Sequence, residues 1–309
     1  MTLKTKGRLI LLAVYILATV LGFWASTFCS CGILGQSAVA VVVTVLIIFT
    51  GSVSCNNSSV FDPYWSLAPP LMVLFYFGAI LQSIFVIRYP GSALHDLLTS
   101  SPRILIMFLL TVAYSVRLTW NFLRAWPGLK HEDWRYVGFR NSSGKAYWLV
   151  SFSAIHLFPA LMVFGGTLSI WAVVVQGYRQ FNILDLFALL VTGGAILLEA
   201  VSDRQMRNFL KENDEPGKTM KQGLWAFSRH PNYLGEILFW WGLFFFALAA
   251  NSTFWWVIAG PVAITLMFIF ASIPMIEKRM LNRRKDYKTY MERVNMLIPF
   301  KFRGNQVDD

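Results

Sequence analysis

The chain has 309 residues, 56% of them hydrophobic and 14% charged, with a formal net charge of +11. Soluble domains run about 45–50% apolar and about 25% charged, so the composition excludes an ordinary soluble globular domain. The positive balance does not read as a nucleic-acid surface either: 23 of the 27 Lys and Arg fall before residue 9, between 124 and 146, between 204 and 229, or after 276.

A bilayer core about 30 Å thick needs about 20 apolar residues as helix. Eight runs meet that need: about 9–25, 36–51, 67–87, 102–123, 147–176, 183–200, 234–250 and 254–273. The fold class predicted is therefore all-α, a polytopic transmembrane bundle of about eight helices (seven to nine), with 1–60 as N-terminal helices ahead of a main domain over 61–309. The first run follows Lys4, Lys6 and Arg8 and ends near Ala25-Ser26. An uncleaved first helix and a signal peptide share that pattern. The run over 147–176 is long enough to hold a break at Pro159.

Cys29, Cys31 and Cys55 match neither a zinc spacing nor a disulfide framework. A bridge across a single intervening residue is geometrically demanding, so three free thiols and no metal are expected.

Two polar inserts interrupt the bundle. The first covers 124–146. The second, 199–233, begins as a polar continuation of the sixth helix, breaks at Pro216-Gly217 and re-enters through Arg229-His230-Pro231-Asn232-Tyr233. With eight helices, every basic segment falls on one side of the membrane. The four remaining basic residues, Arg88, Arg103, Arg117 and Arg179, sit in no large loop. Positive loops stay in the cytoplasm, which places both inserts and both termini there. The tail over 277–293 mixes Lys and Arg with Met, Leu and Tyr. A helix lying on an anionic leaflet has that composition, and so does a solvated tail.

Ionisable groups within membrane segments are costly and mark functional sites by default. Tyr114, Arg117, Asn121 and Arg124 share one face of the fourth helix by their spacing of three and four. They read as a phosphate or carbonyl site, or as snorkelling cations with a belt tyrosine. Asp62, in Phe61-Asp62-Pro63-Tyr64-Trp65, lies at the entry of the third helix, as a turn former or as a functional acid. Glu199, Asp203 and Arg207 form a ladder of fours at the end of the sixth helix, fit to accept bonds from ribose hydroxyls or an adenine amine, or simply a solvated face. The densest cluster runs from Gly223 to Glu236. Pro231 suits the first position of a helix, whose free N–H groups attract anions. Arg229 and His230 add charge there, and Asn232 and Glu236 lie one turn apart.

That last segment, with its Ser-Arg-His-Pro-Asn-Tyr core over 228–233, resembles the C-terminal signature of the steroid 5-alpha-reductase superfamily. Other pieces follow in order: Asp62-Pro-Tyr-Trp65, Tyr114-x-x-Arg117, Glu132-Asp133-x-Arg135-Tyr136, Arg140, Glu199-x-x-x-Asp203-x-Gln205 and Ile298-Pro299-Phe300. The resemblance covers roughly 60–300. Isoprenylcysteine methyltransferases and sterol reductases carry a similar Arg-His-x-x-Tyr-x-Gly run. The resemblance implies an integral-membrane enzyme that reduces a carbon–carbon double bond conjugated to a ketone, with hydride from NADPH. The substrate, a lipophilic enone, would enter from the bilayer. By the same resemblance Tyr114 would donate to the substrate carbonyl with Asp62 as its acid partner. Arg117, Glu199, Asp203, His230, Asn232, Tyr233 and Glu236 would hold the nucleotide, with Arg135, Arg140 and Arg229 as phosphate contacts. The steroid-reducing members carry Gln-Glu where Asp62 stands, an acid one carbon longer. Two competing readings are a membrane methyltransferase using S-adenosylmethionine and a non-catalytic lipid-binding protein.

Overall fold

In a computed structural model the described residues are 2–87, 102–177, 179–213, 215 and 217–299. Arg88, Pro216 and Phe300 lie outside them. Among the described residues there is no strand. Eight helical stretches are long and apolar enough to cross a membrane, so the chain is an all-α polytopic bundle.

Helices α1 (Leu3–Ser26) and α2 (Gly32–Ser54) form a hairpin. A turn at Ser58–Phe61, capped by Asn57, leads into α3 (Tyr64–Ile87). Next comes α4 (Pro102–Ala125), then α5 (Trp134–Ser143), which begins a helical path that runs on through α6 (Phe158–Val174). Helix α7 (Ile183–Glu212) opens on a capping box between Asn182 and Asp185. Helix α8 (Pro231–Ala250) starts at its proline, and α9 (Ala259–Met267) continues through a π-helical turn into α10 (Ile273–Arg283). A short α11 (Tyr287–Arg293) closes the described chain.

The expected break at Pro159 is a change of winding. Residues Ser151–Leu157 are π-helical just ahead of that proline, and Phe268–Ser272 are π-helical just ahead of Pro274. A proline removes one N–H from the ladder and crowds the preceding turn, and a π-bulge absorbs the mismatch. Within the insert 124–146, residues Trp134–Ser143 form helix α5 and are not loop.

The described tail corrects the reading of 277–293 as a solvated tail, since it packs onto the bundle. Tyr290 donates to the Trp225 carbonyl at 2.5 Å, and Arg229 donates to the carbonyls of Met291 and Val294 at 3.0 and 2.6 Å.

The free-thiol expectation is also corrected. Cys29 is paired with Cys31 across the α1–α2 turn, with Cα atoms 5.4 Å apart, inside the usual range for bridged cysteines. The turn brings them close enough, and Gly32 follows with φ of +71°. Cys55 is free.

The two ends of the bundle differ in chemistry. One gathers the start of α1, the end of α4, the Ser58–Phe61 turn, the end of α7 and the start of α8. Lys4 bonds the Arg124 carbonyl at 3.3 Å, and Arg8 bonds that of Leu123. At the other end Arg103 is buried against Asp185 with two bonds of 2.5 and 2.7 Å and also donates to the carbonyls of Arg179, Gln180 and Ala249. That ion pair ties α4 to α7 far from the polar cavity.

Candidate functional site

At the first of these ends α7 and α8 are pressed together. A Cβ on Gly235 would lie 2.5 Å from Glu199 Cγ and 2.8 Å from the Ala195 carbonyl, and one on Gly242 would lie 2.1 Å from Thr192 Oγ1. The close crossing brings Glu199 and Glu236, one from each helix, to the wall of a polar chamber of about 460 Å³. Asp62, Asp133 and Asp203 complete a set of five carboxylates on that wall, with Arg135, Tyr136, Asn232 and Tyr233 between them. Ile155 and Phe268 from the two π-helical turns line it as well.

Three of the five acids have cationic partners. Arg117 reaches Glu199 at 2.5 Å and Asp203 at 3.0 Å. Asn121 donates to Asp203 at 2.7 Å and accepts from Arg207 at 3.0 Å. Arg135 Nε holds Asp133 at 2.7 Å. The other two are held by neutral donors. Glu236 Oε1 accepts from Tyr114, Trp65 and Trp240 at 2.6, 2.6 and 2.9 Å. Asp62 Oδ1 accepts from the Tyr136 hydroxyl at 2.6 Å.

The expected pairing of Tyr114 with Asp62 is therefore corrected. Tyr114 is fully buried, stacked on Phe239 at 3.8 Å and bonded to Glu236 behind the chamber wall. The phenol beside Asp62 is Tyr136. The helical spacing of Tyr114 and Arg117 does bring both to the acids, and Arg117 serves as a clamp between carboxylates. Its Nε atom is buried with no hydrogen-bond partner.

Two residues expected at phosphates, Arg140 and Arg229, and one expected at the nucleotide, His230, are committed elsewhere. Arg140 makes a forked pair with Glu132 at 2.9 and 3.0 Å and lies 3.9 Å from the Tyr147 ring centroid. Burial works to raise the Glu132 carboxyl, but bonds from Arg140, the Ser58 N–H and Tyr147 outweigh it and hold the acid below its ordinary range. Arg229 and His230 both bond Glu277, at 2.7 and 3.0 Å. By contrast, the side chains of Asn232 and Tyr233 face the chamber with no hydrogen bond to any described residue.

Sequence reasoning missed Glu132 and Glu277 as the acids that occupy Arg140 and Arg229, and Trp65 and Trp240 as donors to Glu236. A signal for Glu277 was available: it is the first charge after the last apolar run.

A second chamber of about 490 Å³ adjoins the first and shares with it Arg135, Tyr136, Ile155, Pro159 and Tyr233 among others. Its remaining lining is chiefly apolar, including Phe139, Phe158, Ala271 and Met275. Phe158 of this lining is 45% exposed within a helical stretch long and apolar enough to cross a membrane.

The family model described as a protein of unknown function (DUF1295) matches residues 48–294. The chain is similar to an uncharacterized protein of Schizosaccharomyces pombe, 26% identical over 272 residues that cover 80% of this chain and 74% of the relative. No solved structure matches it.

Proposed function

The chain belongs to the DUF1295 family of proteins of unknown function, and from its paired chambers we propose that it is an NADPH-dependent membrane reductase of an enone in a lipid-like substrate. The observation that carries the reading is the Tyr136–Asp62 hydrogen bond at the junction of a polar and an apolar chamber. Together the chambers fall in the size range of small-molecule sites, about 300–1,000 Å³.

The residues present fit a dinucleotide in part. Asn232 and Tyr233, free on the first turn of α8, offer an amide and a phenol. Arg135 keeps two guanidinium nitrogens uncommitted beyond its bond to Asp133. Glu199 and Asp203 remain as acceptors for ribose hydroxyls. When bound, NADPH supplies hydride to the β-carbon of the enone. Negative charge then gathers on the carbonyl oxygen, and the Tyr136 hydroxyl, whose single proton is held by Asp62 in this structure, turns from Asp62 to donate there. A proton taken from water at the α-carbon completes the reduction. Tyr114 serves as a positioning residue for Glu236, and the apolar chamber admits substrate from the bilayer. By the distribution of positive charge we assign the polar end to the cytosol, with both termini.

One observation favours a second reading. Among the described residues Glu236 is bonded to no cation, and an acid held only by neutral donors at the chamber wall suits the sulfonium of S-adenosylmethionine. The small molecules released from detergent-purified protein decide between them by mass spectrometry. NADP(H) is expected; S-adenosyl compounds in its place would overturn the reductase reading.

A further inference from the structure

Arg279 is a charged residue beside the chambers that the reading above leaves unused. It lies one turn after Met275 and Ile276, which line the apolar chamber, and i, i+3 and i, i+4 positions share a helix face. Its guanidinium lies 4.1 Å from the ring of Trp134, another lining residue. Arg279 donates to no described residue, and its Nη1 is buried without a partner. An unmet buried donor on a charged group is costly. It is also within electrostatic reach of Arg135, Arg283 and Asp133. Asp133 is already bonded to Arg135, so Arg279 stands beside Arg135 and Arg283 with no acid bonded to it among the described residues.

We propose that Arg279, with Arg135, binds the anionic headgroup, phosphate or carboxylate, of a single-chain amphiphile whose tail fills the apolar chamber. This rests on the reading of the two chambers as one reaction site and narrows its substrate class from neutral lipid to anionic amphiphile. A neutral sterol would leave the Arg279 donor unmet. A free anion would leave the apolar lining, with Phe139, Phe158 and Ala271, uncovered. Only a ligand that carries both chemistries satisfies both walls. A phosphate of the dinucleotide could also meet the guanidinium, and the test separates the two sources.

The full-length protein in lipid nanodiscs is photolabelled with a diazirine-bearing dodecyl phosphate, and the attachment sites are mapped by mass spectrometry. Labelling is expected on Phe158, Ala271 or Met275. Dodecyl phosphate should compete, while dodecanol and inorganic phosphate at equal concentration should not. Arg279→Gln should lower labelling by about tenfold or more, the loss of one charge-assisted hydrogen bond. Equal labelling of Arg279→Gln, or equal competition by dodecanol, overturns the proposal. So does displacement of the label by NADP alone together with weaker NADP binding in Arg279→Gln, which would assign the guanidinium to the dinucleotide. Should Arg279→Gln fail to fold, Ala271→Trp carries the same decision: it plugs the chamber, and full labelling of that variant is equally fatal. The experiment needs no turnover, so a failure to detect reduction would count against the reductase reading and not against this site.

Discussion

The hydroxyl of Tyr136 donates to Asp62 Oδ1 at 2.6 Å, and both side chains face the polar chamber. The single Tyr136 O–H is engaged with Asp62, and because Tyr136 lines the chamber that bond can pass to a developing oxyanion there. Tyr136→Phe should lower turnover by roughly 10²–10³, the range for losing one oxyanion donor, on the first active substrate of an enone panel. Tyr114→Phe should not, because Tyr114 lines neither chamber and its hydroxyl is bonded to Glu236 behind the wall. Its cost should appear as stability, about 1.5–3 kcal/mol for a bond to a charged group, read as a lower melting temperature. A rate loss confined to Tyr114→Phe would reassign the donor.

Arg117 stands between Glu199 and Asp203 with side-chain exposures of 13%, 5% and 23%. Removing it leaves a buried acid unpaired next to Glu236. Arg117→Gln is expected to destabilise the protein by about 3–5 kcal/mol, as does breaking a buried ion pair from one side. Fluorescence-detected size exclusion after heating would measure it. A wild-type melting temperature would return Arg117 to the role of a free anion ligand.

The eight helices were legible because lipid imposes length and apolarity on each of them, and those are properties of contiguous sequence. The Glu199–Glu236 approach was half legible. Helical spacing placed each acid at the polar end, but their meeting depends on Gly235 allowing α7 and α8 to touch. Partner choice was not legible at all. Arg140 and Arg229 looked like phosphate ligands because their partners, Glu132 and Glu277, are brought to them by folding, over 8 and 48 residues of chain. The pairing of Asp62 with Tyr136 rather than Tyr114 likewise depends on α5 folding back over the start of α3.

That crossing itself can be tested. Gly235→Ala places a methyl against Glu199 and the Ala195 carbonyl, and backbone cannot yield as a flexible side chain can. Overpacking of this kind costs about 1–3 kcal/mol. The variant should melt lower and lose cofactor affinity together, since Glu199 lines the chamber. Separate behaviour of the two readouts would show that the helix contact does not shape the site.

Glu132 gives a pH dependence with a definite sign. Its folded carboxyl is held below the ordinary value of 4.5, so its contribution is present above that pH and is lost as pH falls through the folded value. Glu132→Gln should be less stable than the native protein at pH 7. The gap should narrow as both are titrated below about 4.5. Melting temperatures from pH 7 to pH 3.5 would measure it, and a constant gap would mean that the Arg140 pair contributes nothing as a charge.

Orientation in the membrane follows from which end of the bundle carries the basic residues. Ser143 at the end of α5 and Lys218 after α7 lie with the polar chamber, whereas Gln180 precedes α7 at the opposite end beside the Arg103 pair. Cysteines placed singly at these positions, in a Cys55→Ser background, report the side directly, because Cys29 and Cys31 are already paired. An impermeant thiol reagent applied to intact cells should label Gln180→Cys and leave Ser143→Cys and Lys218→Cys untouched until lysis. The reverse pattern would turn the bundle over and put the chamber outside, against the proposed use of cytosolic NADPH. Labelling of Ser143→Cys and Lys218→Cys from opposite sides would contradict the shared end that joins them and remove a membrane crossing between α6 and α7.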